Sequence, residues 1–462
     1  MRLPSGMERS DHDGAYTTAC GQRLPRVVGL TLAVCGWIVS AQSAPIVARD
    51  SVVTHYDVEL RPQLDARTVE GSVSLTVQVS DAASSHVTLN HGALDIDEVR
   101  EGGRPLTFRI DRTQVQIELP PTNDRRAREI AIQYHGRPTS GLVFVPERAQ
   151  LYTIFTTPQW MPSVDDPDAR ATFRLRLHVP RSWTGAAAGR QMSRRAVSAD
   201  VDAVEWLQDR PMPAYTFGFA VGRFSEVIDR ESGVTLQYFA SGFSPGEMRA
   251  IFGESRQMLR FFEERSGVPY PWRTYAQALV ARTAGQEMAG LSVVSEEYGR
   301  AVLKDRTAIG LLAHEFSHQW WGNMVTCHAW TEFWLNEGFA TFMAAAYREH
   351  RFGRAVYLAD ISAMRTRYEQ VVARGNDRPI VFPSWDRPSA DDRTLVYQKG
   401  ALMLHDLREL VGDSNFWKGI RLYTRRYFGR SVTTDALRLA FEEASGVDLR
   451  EFFAPIVRVD RR

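Results

Sequence analysis

Lysine is almost absent from this chain. Of 56 basic residues, only Lys304, Lys399 and Lys418 are not arginine. A lysine inside a motif therefore carries more information here than in an ordinary sequence. Cysteine is nearly as scarce, with Cys20, Cys35 and Cys327 the full complement. An excess of either charge is also missing. The formal net charge is +1, which gives no reason to invoke nucleic acid or an acidic surface as a partner. No repeat or low-complexity tract interrupts the 462 residues, a length that fits two or three domains rather than one.

The apolar run Val27 to Val39 is shorter than the roughly 20 residues that span a bilayer. Arg23 and Arg26 precede it and the small residues of "VSAQSAP" follow it. This is the order of a secretory signal, residues 1–41, with cleavage expected after Ala41. The first 22 residues are long and polar for such a signal, so Met7 is a candidate start. A periplasmic or secreted protein is expected, with membrane attachment only if the segment is retained. Cys20 and Cys35 would leave with the signal, and Cys327 alone cannot form an intrachain disulfide.

From about residue 50 to 225 the pattern is β. In "SVSLTVQVS", Val73, Leu75, Val77 and Val79 alternate with small polar residues. Ile110, Val115, Ile117 and Leu119 do so with breaks, and Phe173, Leu175, Leu177 and Val179 share one face. Period two means half-buried strands, with Pro, Gly and Asp clusters as turns. After about residue 245 the apolar spacing turns helical. "SPGEMRAIFGESRQMLRFFEERSG" reads as one helix ending at Gly267, "DRTAIGLLAHEFSHQWWG" as a second ending at Gly322, and "TEFWLNEGFATFMAAAYREHRFG" as a third ending at Gly353. The expected fold is α+β: a β domain over 46–235, then a mainly helical domain over 236–462.

The chemistry concentrates in "HEFSHQWWGNMVTCHAWTEFWLNEGFATF", His314 to Phe342. On a helix, residues four apart differ by about 40° and lie about 6 Å apart along the axis. His314 and His318 therefore project from one face and can share an ion. H-E-x-x-H on a helix is the zinc pattern, with Glu315 as general base. Zinc also needs a third protein ligand and an open fourth position. Glu337, with eighteen residues between it and His318, opens the next apolar helix and would face the histidines across a helical hairpin. Asn336 and Glu337 interrupt the apolar stretch Phe333 to Phe342. A carboxylate there is costly unless paired or metal-bound. Trp320, Trp321, Trp330 and Trp334 read as packing for these helices. His328 reads as exposed, and Cys327 as an unreactive thiol.

"HEFSHQWWGNMVT" followed by "WLNEGFATF" resembles the zinc aminopeptidase family typified by aminopeptidase N. "PMPAYTFGFAVGRF", "FFEERSGVPYPWRTYAQALV" and "VYQKGALMLHDLREL" extend the resemblance over roughly residues 50–455. It implies an N-terminal antiparallel β saddle domain followed by a thermolysin-like zinc metallopeptidase domain, one Zn2+ per chain, and peptides as substrates. It also implies that Tyr397 stabilises the oxyanion, with Lys399 retained beside it. Glu287, in "AGQEMAGL", would bind the substrate's free amine, with Gly290 keeping the motif's glycine. Met288 stands where the family has asparagine, which puts a contact to the substrate backbone in doubt. Gln159 is a candidate for the family's second amine-binding residue, against a surface Gln near a turn; Asp165 and Asp166 read as turn residues. Only 65 residues follow Tyr397, too few for the large helical C-terminal domain of many relatives, so a more open site, or one closed by a partner chain, is expected.

Three functions stay open on the sequence. One is a zinc aminopeptidase hydrolysing the N-terminal peptide bond with a metal-activated water. The second is a zinc-bearing peptide-binding protein with little turnover. The third is a thermolysin-like endopeptidase cutting internal bonds.

Overall fold

The computed structural model describes residues 51–457, apart from 80–85, 122–126, 283–284, 383–384 and 386–387. The export-signal reading, with Cys20, Cys35 and Ala41, lies outside the described residues. No helix among those described is long and apolar enough to cross a membrane.

The period-two stretches form strands with the expected faces except at Ile110, which lies exposed on the short edge strand Phe108–Asp111. In Thr68–Val79, Val69, Val73, Leu75 and Val77 are buried while Glu70, Ser74 and Gln78 face outward. The main N-terminal sheet has eight strands. Their spatial order is Arg190–Ala196, Val201–Pro213, Arg170–Pro180, Ser51–Gln63, Thr68–Val79, Arg128–Gly136, Leu94–Glu101 and Arg104–Pro105. Neighbours are antiparallel except Ser51–Gln63 and Arg170–Pro180, which run parallel with Val58 opposite Leu175. A second sheet, ordered Thr184–Ala187, Phe219–Gly222, Gln150–Thr153 and Leu142–Val145, has two apolar faces. Leu151, Phe219 and Val221 look into the saddle core. Tyr152 and Ala220 look the other way, onto Ala278, Met288 and Val293 of the following domain.

That following domain opens with a five-stranded sheet, ordered Ser225–Glu231, Val234–Ala240, Thr274–Val280, Leu291–Ser295 and Gly285–Met288. The three inner strands are parallel and both edge strands antiparallel. The helical reading after residue 245 missed these last three strands. Thr274–Val280 is buried at every position but the first, so it shows no alternation for a period-two search to find. Val234–Ala240 crosses the expected boundary at 235/236 and pairs with Thr274–Val280. By strand pairing, the second domain therefore takes in residues from Ser225 onward.

Its helices are α1 (Pro245–Phe252), α2 (Ser255–Ser266), α3 (Glu296–Lys304), α4 (Gly310–Ser317), α5 (Trp334–Phe352), α6 (Arg354–Ala373), α7 (Ala390–Thr394), α8 (Gly400–Val411), α9 (Asp413–Tyr427), α10 (Thr434–Ser445) and α11 (Arg450–Val457). Ser244 and Glu247 start α1 with a capping box. The stretch expected as one helix is two, α1 and α2, broken at Gly253 and Glu254; the Glu254 carboxylate turns to Arg351 and Tyr347 of α5. α4 and the first fourteen residues of α5 are buried on nearly every side, as helices at the centre of a core are. Phe262 and Trp320 pack against Phe316 of α4, and Trp321 against Phe339 of α5.

Candidate active site

α4 stops at Ser317, short of the Gly322 expected, and His318 caps it. The chain then turns tightly around the His318 ring. Asn323 N–H donates to the His318 carbonyl at 2.9 Å, and Gly322 N–H to the Val325 carbonyl at 2.8 Å. Gly322 has φ +129°, and a Cβ there would lie 2.6 Å from His318 Nδ1. Trp321 O lies 3.0 Å from His318 Nδ1. A carbonyl can only accept, so Nδ1 carries the proton and Nε2 presents its lone pair.

Glu337 lies in the first turn of α5. Its Oε2 is 3.2 Å from His314 Nε2 and 3.4 Å from His318 Nε2, and the two ring nitrogens are 3.1 Å apart. These three atoms form one triangular face. Zinc bonds of about 2.0–2.1 Å at the tetrahedral angle place ligand atoms about 3.3 Å apart. The donor set and its spacing thus fit zinc, as the sequence expected for His314, His318 and Glu337.

Two more carboxylates complete the cluster. Atoms of Glu287, Glu315 and His318 lie within 4.8 Å of one another. All five side chains are buried. Among the described residues, Glu315 Oε2 and Glu287 Oε1 have no hydrogen-bond partner. A Cβ on Gly285 would fall 2.1 Å from Glu315 Oε1, so the carboxylate rests against the Gly285–Met288 strand where no side chain intervenes. Burial pushes the Glu287 carboxyl up to about 7, opposed by His318 and reinforced by Glu337. Burial and then Glu287 push Glu315 well above the usual range. With no ion bound, Glu287 and Glu337 outweigh burial and hold the His318 imidazole up to about 10, so a cation arriving at Nε2 displaces a proton there. Glu337 is held at about 2 because His318 and His314 outweigh its own burial. Three carboxylates against two imidazoles form a set complementary to a divalent cation.

Tyr397 joins this cluster. Its ring lies nearly parallel to that of His314, at 8° and 5.9 Å between centroids. It sits on a single π turn, Leu395–Lys399, between α7 and α8, a distortion frequent at functional sites. Burial, then Glu337 and Glu287, push its phenol well above the ordinary range, so it remains a donor. Lys399 points elsewhere, donating to Asp377 Oδ1 at 2.7 Å and to the Arg378 carbonyl at 2.8 Å.

Other expected residues take different places. Gly290 (φ +79°) forms the turn between Gly285–Met288 and Leu291–Ser295. Its N–H donates to Gln319 Oε1 at 2.9 Å and its carbonyl accepts from Ala276 N–H at 2.9 Å, so both backbone groups are used within the protein. Gln159 is buried, with its Oε1 accepting from the Thr139 N–H and hydroxyl at 3.4 Å each; the structure does not bring it into the cluster. The Met288 side chain is buried against Thr153 and Gly218 of the saddle. His328 is paired with Asp168 at 3.3 Å. Cys327 is buried, and burial pushes its thiol well up. Asp166 accepts from Asp168 N–H at 2.8 Å, as a turn residue does.

Four polar residues at the site escaped the sequence reading. Gln319 holds the glycine turn from both sides, its Nε2 donating to the Met288 carbonyl at 3.1 Å. Gln286 donates to Glu287 Oε2 at 2.8 Å and accepts from Phe155 N–H at 2.9 Å. Tyr215 and Arg170 reach the turn after His318 from the saddle. Only Gln319 had a signal, an amide directly after the second histidine of the motif.

A β saddle joined to a helical domain, with an HExxH helix and a later glutamate converging on one point, defines a two-domain protein of the metallopeptidase type. The chain belongs to peptidase family M1: the M1 N-terminal domain matches residues 52–216 and the peptidase family M1 domain residues 251–455. It is 28% identical to aminopeptidase N of Streptomyces lividans over 389 residues, 79% of this chain and 44% of that one. It is 26% identical to aminopeptidase M1-C of Oryza sativa subsp. japonica over 433 residues, 86% of this chain and 48% of that protein. The chain thus spans about half the length of these curated relatives. Among solved structures it is similar to a mutant M1 zinc metallopeptidase from Deinococcus radiodurans bound to a Tyr-Ser-Ala substrate. That match has a TM-score of 0.74 at 25% identity and covers 88% of this chain and 94% of that one.

Proposed function

We propose that this protein is a zinc-dependent aminopeptidase that hydrolyses the first peptide bond of peptides. The observation that carries the reading is a single buried cluster: three donor atoms 3.1–3.4 Å apart, flanked by two carboxylate oxygens, Glu315 Oε2 and Glu287 Oε1, without partners among the described residues. His314, His318 and Glu337 would hold zinc. Bound there, zinc would make water a nucleophile near neutral pH and polarise the substrate carbonyl.

The remaining work falls to the chain's own side chains. Glu315 Oε2 takes the proton of the attacking water and passes it to the leaving amine nitrogen, as a C–O bond forms and the C–N bond breaks. The Tyr397 phenol donates a hydrogen bond to the carbonyl oxygen as negative charge develops on it. Glu287 Oε1 accepts from the substrate's α-ammonium group, a charge-assisted bond. Because that group must reach Glu287 while the adjacent carbonyl lies beside Glu315 and Tyr397, the bond cut is the first. The Gly285–Met288 strand is a sheet edge, so an extended peptide can lie along it. The bound Tyr-Ser-Ala of the Deinococcus relative supports a peptide substrate.

The charge order around Val27–Val39 supports export, and amino-terminal sequencing of the mature protein tests it. Activity is tested by assaying an aminoacyl p-nitroanilide together with a zinc measurement. Bound zinc with no turnover would favour a peptide-binding protein instead. Cleavage of blocked peptides at internal bonds would favour an endopeptidase.

A further inference from the structure

The geometry points to Tyr215, a saddle-domain residue outside the ligand set, as the positioning residue that holds the metal-binding groups in register. The inference rests on His314, His318 and Glu337 being the zinc ligands. Tyr215 lies in a short 3-10 turn, Ala214–Thr216, after the last long strand of the main sheet. It is 4% exposed, and its ring packs against Phe155 at 5.4 Å and Trp330 at 5.2 Å.

Its hydroxyl makes two bonds, one towards each ligand-bearing segment. It donates to the Gly322 carbonyl at 2.6 Å. It accepts from Asn336 Nδ2 at 3.0 Å. Gly322 directly follows Trp321, whose carbonyl fixes the His318 ring through Nδ1. With no Cβ and φ +129°, Gly322 is the residue at which that carbonyl could most easily rotate. Anchoring the next carbonyl removes this freedom. Asn336 directly precedes Glu337, and its Oδ1 accepts from Cys327 N–H at 2.9 Å. One phenol oxygen thus ties the turn that orients the second histidine to the start of the helix that carries the glutamate.

Arg170 reinforces the same turn from the saddle. Its guanidinium donates to Thr326 Oγ1 at 2.8 Å and to the Asn323 carbonyl at 3.1 Å. The saddle is therefore part of the metal-site scaffold. Groups that orient metal ligands typically change metal affinity by about 10- to 100-fold when removed.

The test is zinc affinity by competition with a chromophoric chelator, run on the full chain well below its unfolding temperature. Tyr215→Phe removes one oxygen and keeps the ring. Its zinc affinity should fall about 10-fold or more, and the visible absorption of the cobalt(II)-loaded protein should change. Asn336→Ala should also weaken zinc, and the double variant should lose less than the two single losses combined, because both act through one device. Tyr347→Phe deletes a hydroxyl bonded at 2.6 Å to Glu254, further along α5, and should cost stability without moving zinc affinity. Wild-type zinc affinity and an unchanged cobalt spectrum in Tyr215→Phe would overturn the proposal, as would an equal zinc loss in Tyr347→Phe. His318→Ala separates the two levels. Full zinc occupancy there removes the ligand set itself, whereas zinc loss there with normal affinity in Tyr215→Phe removes only the role of Tyr215.

Discussion

Gln286 and Glu287 are neighbours in the chain whose side chains are bonded to each other: the Gln286 amide donates to Glu287 Oε2 at 2.8 Å, while Glu287 Oε1 has no partner among the described residues. One oxygen is tethered and the other is presented. A hydrogen bond to a charged group contributes about 1.5–3 kcal/mol, about 10- to 150-fold in rate. Acetylating a peptide's amine should lower kcat/KM by at least that much. Glu287→Ala should shrink the difference between free and acetylated forms, and Gln286→Leu should shrink it less. Equal cleavage of both forms by the wild type would end the role of Glu287 as amine anchor.

Glu315→Gln should keep its zinc and lose activity. An amide cannot accept the water's proton, and general-base catalysis is typically worth about 10²–10⁴ in rate. Metal content and kcat measured on one preparation check this. Near-wild-type turnover would take Glu315 out of the mechanism.

Tyr397→Phe should lower kcat by roughly 10²–10³ with little change in KM, because the phenol serves charge that develops only during reaction. A rise in KM alone would recast Tyr397 as a binding or packing residue.

Asp165 offers a pH test away from the metal ligands. Burial, and then Asp166, push its carboxyl up to about 7, whereas an unfolded Asp titrates near 3.9. Between those values the folded state keeps a proton that the unfolded state releases. Its stabilising contribution is therefore full below about pH 4 and lost as pH rises towards 7. The stability of Asp165→Asn relative to wild type should rise across that window and level off above it. Denaturant midpoints at pH 5 and 8 measure the difference, and a constant value across both would contradict the assignment.

What could be read from the sequence depended on how local each signal was. Val73, Leu75 and Val77 announce a half-buried strand because their period is local, and His314 and His318 share a helix face for the same reason. Glu337 needed one long-range step, and the cost of burying a carboxylate supplied it. Thr274–Val280 gave no such sign, since a strand buried on both faces has no period. Gln319 and Tyr215 work through partners that only the tertiary fold brings near, and so does Gln286 in its bond from Phe155 N–H. Gln159 shows the converse. Its side chain fills the space left by Gly92 and Gly141, where an added Cβ would fall 2.7 and 2.9 Å from its atoms, and no spacing rule places it there. Lys399 stood out by rarity, but its ammonium anchors the Asp377 loop and takes no part in the site.

The central claim is zinc-dependent removal of residues from the amino end of peptides, and the most direct test is digestion of a mixed peptide library. Purified protein should shorten peptides one residue at a time from the free amine, stop when a chelator removes zinc, and resume when zinc is restored. Internal cuts appearing first, or the same products with chelator present, would contradict it.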